Sequence, residues 1–416
     1  MGGIFWIDAR NASVTYEQVA RSWAATPVPF RRHYVAAGFG ATLLELSKAI
    51  AFGQAITLYD GDFTATELRA LGIEPDWDTH DLVGPLAAPS AEDLRQALAP
   101  GRASSGCKIS LFTSGTTGRP KRVTHRLESI ARGVRVHAKH ARDVWGFAYS
   151  PTHIAGIQVF LQAVANGNTI VDLFKLPAAQ VRSRIIDHAI THLSATPTFY
   201  RLLMEDPAPI PFVRSVTLGG ERSDEGLLNR LRSHFPDARI RNIYASTEAG
   251  TLLISDGEYF RVPDDVRRLV RITDGQLEVH RSLTGLLHEG SGCQENEWYP
   301  TGDVVEVDPE SPQRFRILGR EREWINVGGS KVNPGEVEAV LMTHGAVSQA
   351  RVFGRRNSVT GQIVCAEVVV AHGAGFDEAA ILRYAARHLQ DFKVPRILTR
   401  VSEIALTRTG KLKRND

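Results

Sequence analysis

Between Gly167 and Ser246 the chain alternates between runs of β-forming residues and segments with helical spacing of apolar residues. The runs read GNTIVDLF at 167–174, THLSATPT at 191–198, VRSVTLGG at 213–220 and ARIRNIYAS at 238–246. This alternation predicts a layered α/β domain whose strands are largely parallel. Ligands of such open sheets bind beyond the carboxyl ends of the strands. Because the polar segments LGGE at 218–221 and IYASTEAG at 243–250 stand at that position, we expect a binding site there.

The pattern changes in the last part of the chain. Short alternating segments divided by turn residues predict an antiparallel β subdomain over about 256–318. Strand and helix patterns then begin again, in a block large enough for a small domain. We therefore predict an α/β fold with a large layered N-terminal domain at 1–320, which includes the β subdomain, and a small mobile α+β C-terminal domain at 321–416. A hinge is expected near 320–323.

Composition excludes several classes of protein. The 49 basic and 46 acidic residues nearly balance, so we expect neither a nucleic-acid partner nor a membrane surface. The sequence contains no run of about 18 apolar residues, so we expect no membrane span. The three cysteines are widely separated, which favours a reducing cytoplasm over a disulfide framework. We expect a cytoplasmic globular protein.

The segment LFTSGTTGRPKR at 111–122 concentrates Ser, Thr and Gly in six consecutive positions and adds cations after them. Small residues let the backbone approach a ligand and turn its N–H groups inward, so phosphate is the expected ligand. The segment is not a Walker A loop, because Pro120 stands where that motif requires glycine. On this stretch alone, a flexible linker is the alternative.

Five polar segments follow one another along the chain: FTSGTTGRPK, YASTEAG, YPTGD, GRERE with NVGGSKVNPGEVE, and LTRTGKLKR. Their order and content resemble the core motifs of the adenylate-forming superfamily, which includes acyl-CoA synthetases, adenylation domains of peptide synthetases and luciferases. The resemblance covers roughly residues 111–414. It implies ATP and Mg²⁺ as cofactors and activation of a carboxylic acid.

The resemblance also implies roles for individual residues. One group of residues resembles the family's loop that wraps the β- and γ-phosphates of ATP: Thr113, Ser114, Gly115, Thr116, Thr117, Gly118 and Lys121. The segment along the adenine is similar to Gly219, Gly220 and Glu221, and Tyr244 is expected to stack on that ring. Ala245 and Ser246 lead to Thr247, which matches the contact to the α-phosphate, and to Glu248, which matches the Mg²⁺ ligand. Asp303 and Arg320 match the ribose contacts.

Two further positions concern the acid and the chemistry, and a pair of histidines is considered with them. His153 falls beside the acyl pocket of the family, although a packed core histidine is an equal alternative. Lys411 resembles the catalytic lysine that bridges the acyl oxygen and the α-phosphate. Its ammonium suits a charge that grows during displacement, and its position in the small domain makes catalysis depend on the hinge. His137 and His140 lack an evident Cys or carboxylate partner, so we interpret them as a solvated pair rather than a metal site.

The chain departs from the family pattern in three places. The hinge position is Arg322 instead of Asp or Lys. Ala245 replaces a glycine, which requires a φ below zero at that residue. The N-terminal part before the phosphate loop is short, so an N-terminal subdomain is expected to be trimmed. Gly328 and Gly329 nevertheless resemble the loop that forms the pantetheine tunnel.

The leading hypothesis is an enzyme in which a small, possibly aryl, carboxylic acid attacks the α-phosphate of ATP to give acyl-AMP and pyrophosphate. CoA or the phosphopantetheine thiol of a carrier protein would then accept the acyl group. An alternative is ATP-dependent activation of nitrite for diazotisation of an aryl amine in secondary metabolism. A non-catalytic nucleotide-binding module is a third reading, against which the presence of Lys411, Glu248 and Asp303 argues.

Overall fold

A computed structural model describes residues 3–25, 27–72, 81–86, 90–99, 106–113, 120–221, 223–257, 259–288 and 297–404. The predicted phosphate-loop residues Ser114 to Gly118 and the predicted catalytic Lys411 lie outside the described residues.

The α-helices are α1 Tyr16–Ala24, α2 Phe39–Ala51, α3 Ala65–Ala70, α4 Ala91–Leu98, α5 Leu127–Ile130, α6 Ile154–Ala165, α7 Ala178–Asp187, α8 Pro197–Leu203, α9 Glu225–His234, α10 Pro334–Met342 and α11 Glu378–His388. The first strands are β1 Ile4–Ile7, β2 Ser13–Thr15, β3 Val28–Phe30, β4 His33–Val35, β5 Ala55–Tyr59, β6 Asp81–Val83, β7 Lys108–Thr113, β8 Lys121–Arg126, β9 Val144–Phe147, β10 Thr169–Asp172, β11 His192–Ala195, β12 Ser215–Gly219 and β13 Arg239–Ser246. The remaining strands are β14 Gly250–Asp256, β15 Tyr259–Arg261, β16 Val270–Thr273, β17 Gln276–His280, β18 Leu286–His288, β19 Trp298–Asp308, β20 Ser311–Arg320, β21 Ile325–Val327, β22 Ser330–Val332, β23 Val347–Asn357, β24 Gly361–Val370 and β25 Ile397–Val401.

The largest sheet runs in the order β16-β17-β19-β20-β15-β14-β13-β12-β11-β9-β10-β1-β2. Strands β1, β10, β9, β11, β12 and β13 pair in parallel, as the alternating sequence pattern predicts. From β14 onwards the pairing to β15, β20, β19, β17 and β16 is antiparallel. The predicted layered α/β architecture with an antiparallel β portion is therefore confirmed.

Helix α6 packs against the parallel part of this sheet and against α4. It is apolar over most of its surface, as expected of a helix buried on several sides, and Ile157, Phe160 and Leu161 are fully buried. The residue before it, His153, is therefore fixed by a rigid element rather than by a free loop.

A second sheet, in the order β18-β8-β7-β5-β4, carries the strands on either side of the predicted phosphate loop. Strands β7 and β8 form an antiparallel pair in which Thr113 lies opposite Lys121. The hydroxyl groups of Ser110 and Thr124 form a hydrogen bond of 2.7 Å across the pair. The two ends of the predicted loop are thereby held next to each other.

The C-terminal elements form their own sheet, in the order β22-β21-β24-β23 with β25 beside β24, covered by α10 and α11. Its core includes Val332, Val337, Leu341, Val352 and Ile381. This is the small α+β unit that the sequence predicts, while the exact division at residue 320 stays a prediction. Within the described ranges no helix is long and apolar enough to cross a membrane.

Candidate active site

A cavity of about 1700 Å³ lies beyond the carboxyl ends of β12 and β13 and extends along one face of the sheet. Its lining brings together every site residue that the sequence predicts within the described part of the chain: Thr113, Lys121, His153, Gly219, Gly220, Glu221, Tyr244, Ala245, Ser246, Thr247, Glu248, Asp303 and Arg320. Helix α10 contributes Gly335, Glu338 and Met342 to the lining, so the C-terminal unit faces the same cavity.

Tyr244, Asp303 and Arg320, the residues predicted to contact the nucleoside, form one hydrogen-bonded group in the cavity wall. Strands β19 and β20 place Asp303 opposite Arg320, whose Nε lies 2.8 Å from Asp303 Oδ1. The Tyr244 hydroxyl donates to Asp303 Oδ2 at 2.5 Å, and Arg320 Nη1 donates to the Thr301 carbonyl at 2.6 Å. A carboxylate held in this way can still accept hydrogen bonds through its remaining lone pairs.

Burial dominates the electrostatics of this group. It raises the pKa of Asp303, whose residue is only 4% exposed, although Arg320 and the hydroxyls of Tyr244 and Thr301 act in the opposite direction. Burial, together with Asp303, also raises the pKa of Tyr244 well above its ordinary value. Tyr244 is therefore a neutral hydrogen-bond donor, and its partner is Asp303.

The turn after β13 carries Thr247 and Glu248 and is held by its backbone. His125 Nε2 lies 2.7 Å from the Thr247 carbonyl, and the Gly285 N–H donates to the Glu248 carbonyl at 2.7 Å. A Cβ atom on residue 285 would lie 2.8 Å from His125 Cε1, so only glycine leaves room for the imidazole there. Burial lowers the pKa of His125, which makes its neutral N–H the donor to Thr247.

The Glu248 side chain is half-buried and lines the cavity. Within the described part of the chain its carboxylate forms no hydrogen bond or ion pair, while its backbone is fixed. An anchored carboxylate with uncommitted oxygens fits a hard cation such as Mg²⁺.

Ala245 lies at an irregularity in the pairing between β13 and β14. Among the described non-glycine residues, a positive φ occurs at Asn11, Lys175, Ala189 and Asp274, and not at Ala245. The condition under which alanine can replace glycine here is therefore met.

His153 is held by a carboxylate that the sequence reasoning did not identify. Its Nε2 lies 3.0 Å from Asp60 Oδ2, and the Thr152 hydroxyl donates to the other oxygen of Asp60. Asp60 directly follows β5, and an acid at the carboxyl end of a strand was the available signal. The sequence left His153 open between an acyl-pocket residue and a packed side chain; the structure places it in the cavity wall with a charged partner.

At the other end of the cavity, the interpretation of His137 and His140 is wrong about the carboxylate partner. Asp143 Oδ2 lies 2.8 Å from His140 Nδ1 and 3.4 Å from His192 Nε2. Asp143 lies three residues after His140, so its spacing in the sequence could have identified it as a partner. His192 belongs to β11, and no spacing in the sequence connects it with Asp143. The three ligand atoms lie within 4.8 Å of one another, so they could hold a metal ion. His137 is exposed and accepts from the backbone of Lys139.

Gly328 and Gly329 form the turn between β21 and β22, with φ values of 59° and 90°. Two positive φ values in succession suit a tight hairpin turn, which explains glycine at both positions. Neither residue lines the cavity, so their predicted place beside pantetheine stays a prediction.

Comparison with known proteins identifies the same family that the sequence motifs resemble. The model of the AMP-binding enzyme family matches residues 54–273, and that of the AMP-binding enzyme C-terminal domain matches residues 336–411. A 2-succinylbenzoate–CoA ligase from Staphylococcus aureus (strain JH9) is 28% identical over 328 residues, which cover 73% of this chain and 65% of that protein. The chain thus spans about two thirds of the length of this relative.

Solved structures share the fold at low sequence identity. The o-succinylbenzoate CoA synthetase (MenE) from Bacillus subtilis, in complex with the acyl-adenylate intermediate OSB-AMP, has a TM-score of 0.70 and 19% identity, covering 98% of this chain and 94% of that one. The same enzyme was solved with ATP and a magnesium ion, with a TM-score of 0.71 and 19% identity over 98% of this chain and 95% of that one. The anthranilate CoA ligase AuaEII, bound to anthranoyl-AMP, has a TM-score of 0.75 and 17% identity, covering 98% and 92%. The predicted superfamily is confirmed: this chain belongs to the AMP-binding enzyme family of adenylate-forming proteins.

Proposed function

We propose that this protein activates a small aryl carboxylic acid with ATP, releasing pyrophosphate, and transfers the acyl group from the adenylate to the thiol of CoA. The observation that carries the proposal is one cavity that joins the group of Tyr244, Asp303 and Arg320 to His153 at the acid end. The three proteins compared above are named as CoA ligases or synthetases for 2-succinylbenzoate, o-succinylbenzoate and anthranilate, and these names favour an aryl acid and CoA.

In the first step, a carboxylate oxygen attacks the α-phosphorus, the bond from this phosphorus to the bridging oxygen breaks, and pyrophosphate leaves. Asp303 and Arg320 orient the ribose, and Tyr244 covers the base. Thr247 lies on the turn fixed by His125 and is positioned to hydrogen-bond the α-phosphate. Glu248 would hold Mg²⁺, which neutralises phosphate charge when bound. Such fixed donors and acceptors lower the barrier because they need no reorganisation as charge develops.

In the second step, the thiol sulfur attacks the acyl carbon, its proton is lost, and AMP leaves. This step requires a path for pantetheine and no longer needs a cation at the α-phosphate. The α10 residues in the cavity wall support a role for the C-terminal unit in changing between the two steps.

The test is pyrophosphate release from ATP with a panel of aryl acids, in parallel with mass-spectrometric detection of acyl-AMP and, after addition of CoA, of acyl-CoA. Acid-dependent pyrophosphate release followed by acyl-CoA formation is the expected result. Release that requires nitrite and an aryl amine would replace this proposal with the diazotising alternative. ATP binding without turnover under every condition would favour a non-catalytic module, and acyl transfer to a carrier-protein thiol alone would change the acceptor.

A further inference from the structure

The face of the main sheet that lines the cavity is unusually polar for parallel strands. Parallel strands usually carry apolar residues on both faces, because both faces are covered. Here the register of β9, β11, β12 and β13 produces two successive rows across the sheet. The first row is Trp145, His192, Ser215 and Arg239, and the second row is Phe147, Ser194, Thr217 and Arg241. Except for Phe147, these residues line the cavity.

Arg241 is the cation of the second row. It is half-buried in the cavity wall, and no residue in the described part of the chain forms a hydrogen bond or ion pair with its side chain. Burial, together with the neighbouring Arg239, lowers the pKa of Arg241. A guanidinium nevertheless stays charged in proteins. A partly desolvated cation beside a second cation is unfavourable unless an anion compensates it.

Three acids that contact these rows or line the cavity are already engaged. The Asp143 carboxylate lies between His140 and His192. Glu221 accepts from the backbone N–H and the hydroxyl of Thr198. Asp224 forms an ion pair with Arg201 at 2.9 Å. The described residues therefore supply no counter-ion to Arg241, and its guanidinium is open to an anionic ligand in the cavity.

The position of Arg241 along β13 indicates where that anion lies relative to the chemistry. Ser246, at the end of the strand, lies five residue steps after Arg241, which corresponds to roughly 17 Å at about 3.3 Å per residue. Thr247 and Glu248 follow directly, where the phosphates are proposed to bind. The side chain of Arg241 and the contact to the α-phosphate each cover part of this span, which leaves on the order of 10 Å for the acid.

We propose that Arg241, next to the Thr217 hydroxyl, binds a second carboxylate of the acid substrate, at the end remote from the carboxyl group that is activated. The preferred substrate class is then an elongated dicarboxylic acid, and a simple benzoate is a poorer substrate. This inference rests on the proposed function, because it assigns the far end of the same acid-binding cavity. Bidentate contact to a carboxylate is the geometry for which arginine is suited.

The experiment uses a matched pair of ligands. One is 4-(3-carboxypropyl)benzoic acid, and the other is its analogue in which the carboxyl group of the propyl chain, the end remote from the activated benzoate, is a carboxamide. Binding of each to the full-length protein is measured calorimetrically without ATP, and kcat/KM for pyrophosphate release is measured with ATP. We expect the wild type to favour the diacid by about 10- to 100-fold, the size typical of hydrogen bonds to a charged group. Arg241→Gln should remove this preference and leave the carboxamide within about twofold of wild type.

Two further variants separate charge from structure. Arg239→Gln removes a cation from the same strand, at an exposed residue one row further from the proposed phosphate site. This variant should largely keep the preference for the diacid over the carboxamide. Arg241→Lys keeps the charge without the bidentate fork and should give an intermediate preference. Unchanged thermal stability and ATP affinity of Arg241→Gln would show that the fold and the nucleotide end are intact.

Equal or undetectable wild-type binding of the two ligands would overturn the inference, as would an equal loss for both in Arg241→Gln. A change confined to the KM for CoA would assign Arg241 to a phosphate of the acceptor instead and would also overturn it. The binding measurement needs no turnover, so failure of the proposed reaction remains distinguishable from failure at Arg241.

Discussion

Replacement of Asp303 by asparagine tests the nucleotide end most directly. The change keeps the shape of the side chain but removes the charge that faces Arg320 Nε at 2.8 Å and the Tyr244 hydroxyl at 2.5 Å. The asparagine oxygen can still accept from Tyr244. Its amide hydrogens, however, would face the guanidinium, so the contact to Arg320 is lost.

The expected cost in stability follows from the exposure of the pair. Removing one partner of a fully buried ion pair costs about 3–5 kcal/mol. The Arg320 side chain is 36% exposed and can turn towards water, which reduces this cost. Burial also raises the pKa of Asp303 despite its partners, so its charge is not fully compensated in the wild type. We therefore expect the free energy of unfolding in urea to fall by about 1–3 kcal/mol.

The effect on ATP is expected to be specific to the ribose. Loss of the charged acceptor should weaken ATP binding by about 10- to 100-fold, since hydrogen bonds to charged groups contribute about 1.5–3 kcal/mol. Calorimetric titrations with ATP, 2′-deoxy-ATP and 3′-deoxy-ATP check the reason: wild type should discriminate against the deoxy analogues, and the variant should not. Asp308→Asn is the control, because Asp308 is a buried acid on the same strand outside the cavity lining. A variant that still discriminates as wild type does would refute the ribose assignment.

Three other changes test the remaining parts of the site. Glu248→Ala should lower the rate of pyrophosphate release at saturating ATP and Mg²⁺ by about 100-fold or more. Its circular dichroism spectrum should stay unchanged, because only the backbone of Glu248 supports the turn. A near-wild-type rate would exclude Glu248 as the metal ligand. Because burial lowers the pKa of His125 in the folded state, its contribution to stability is present above its unfolded pKa of about 6.5 and is lost as the pH falls; His125→Gln should flatten the stability profile below that pH, and an unchanged slope would contradict this. Lys411→Ala should abolish acyl-AMP formation yet spare thioester formation from prepared acyl-AMP, whereas loss of both steps would indicate a structural role.

The sequence predicted which local segments come together in the cavity. Gly219, Tyr244, Glu248 and Asp303 each belong to a short polar segment that can be recognised in the sequence, and the sheet brings these segments together in one cavity. The fold class followed from the alternation of strand and helix patterns for the same reason. Both depend on periodicity and on residues that are neighbours in the chain.

The contacts that the sequence could not supply join distant parts of the chain. His125 lies under the Thr247 turn because β8 and β13 belong to different sheets that meet there, 122 residues apart in sequence. Asp60 reaches His153 across 93 residues, and His192 reaches Asp143 from another strand. No spacing rule predicts such pairs, because they depend on strand order and on the register between strands.

Arg241 extends this contrast to the specificity of the site. The end of the cavity proposed for the nucleotide is built by the last residues of β13 and β20, by Asp303 within β19, and by the turn after β13 that carries Thr247 and Glu248. The end of the cavity proposed for the acid is lined by side chains within β11, β12 and β13. Exchanging one of these side chains leaves the backbone hydrogen bonds of the strand in place. A substitution in the interior of these strands can therefore change the acid while the nucleotide segments stay the same. For this reason motifs identify the reaction class, whereas the proposal of a second charge on the acid depends on the register that places Thr217 beside Arg241.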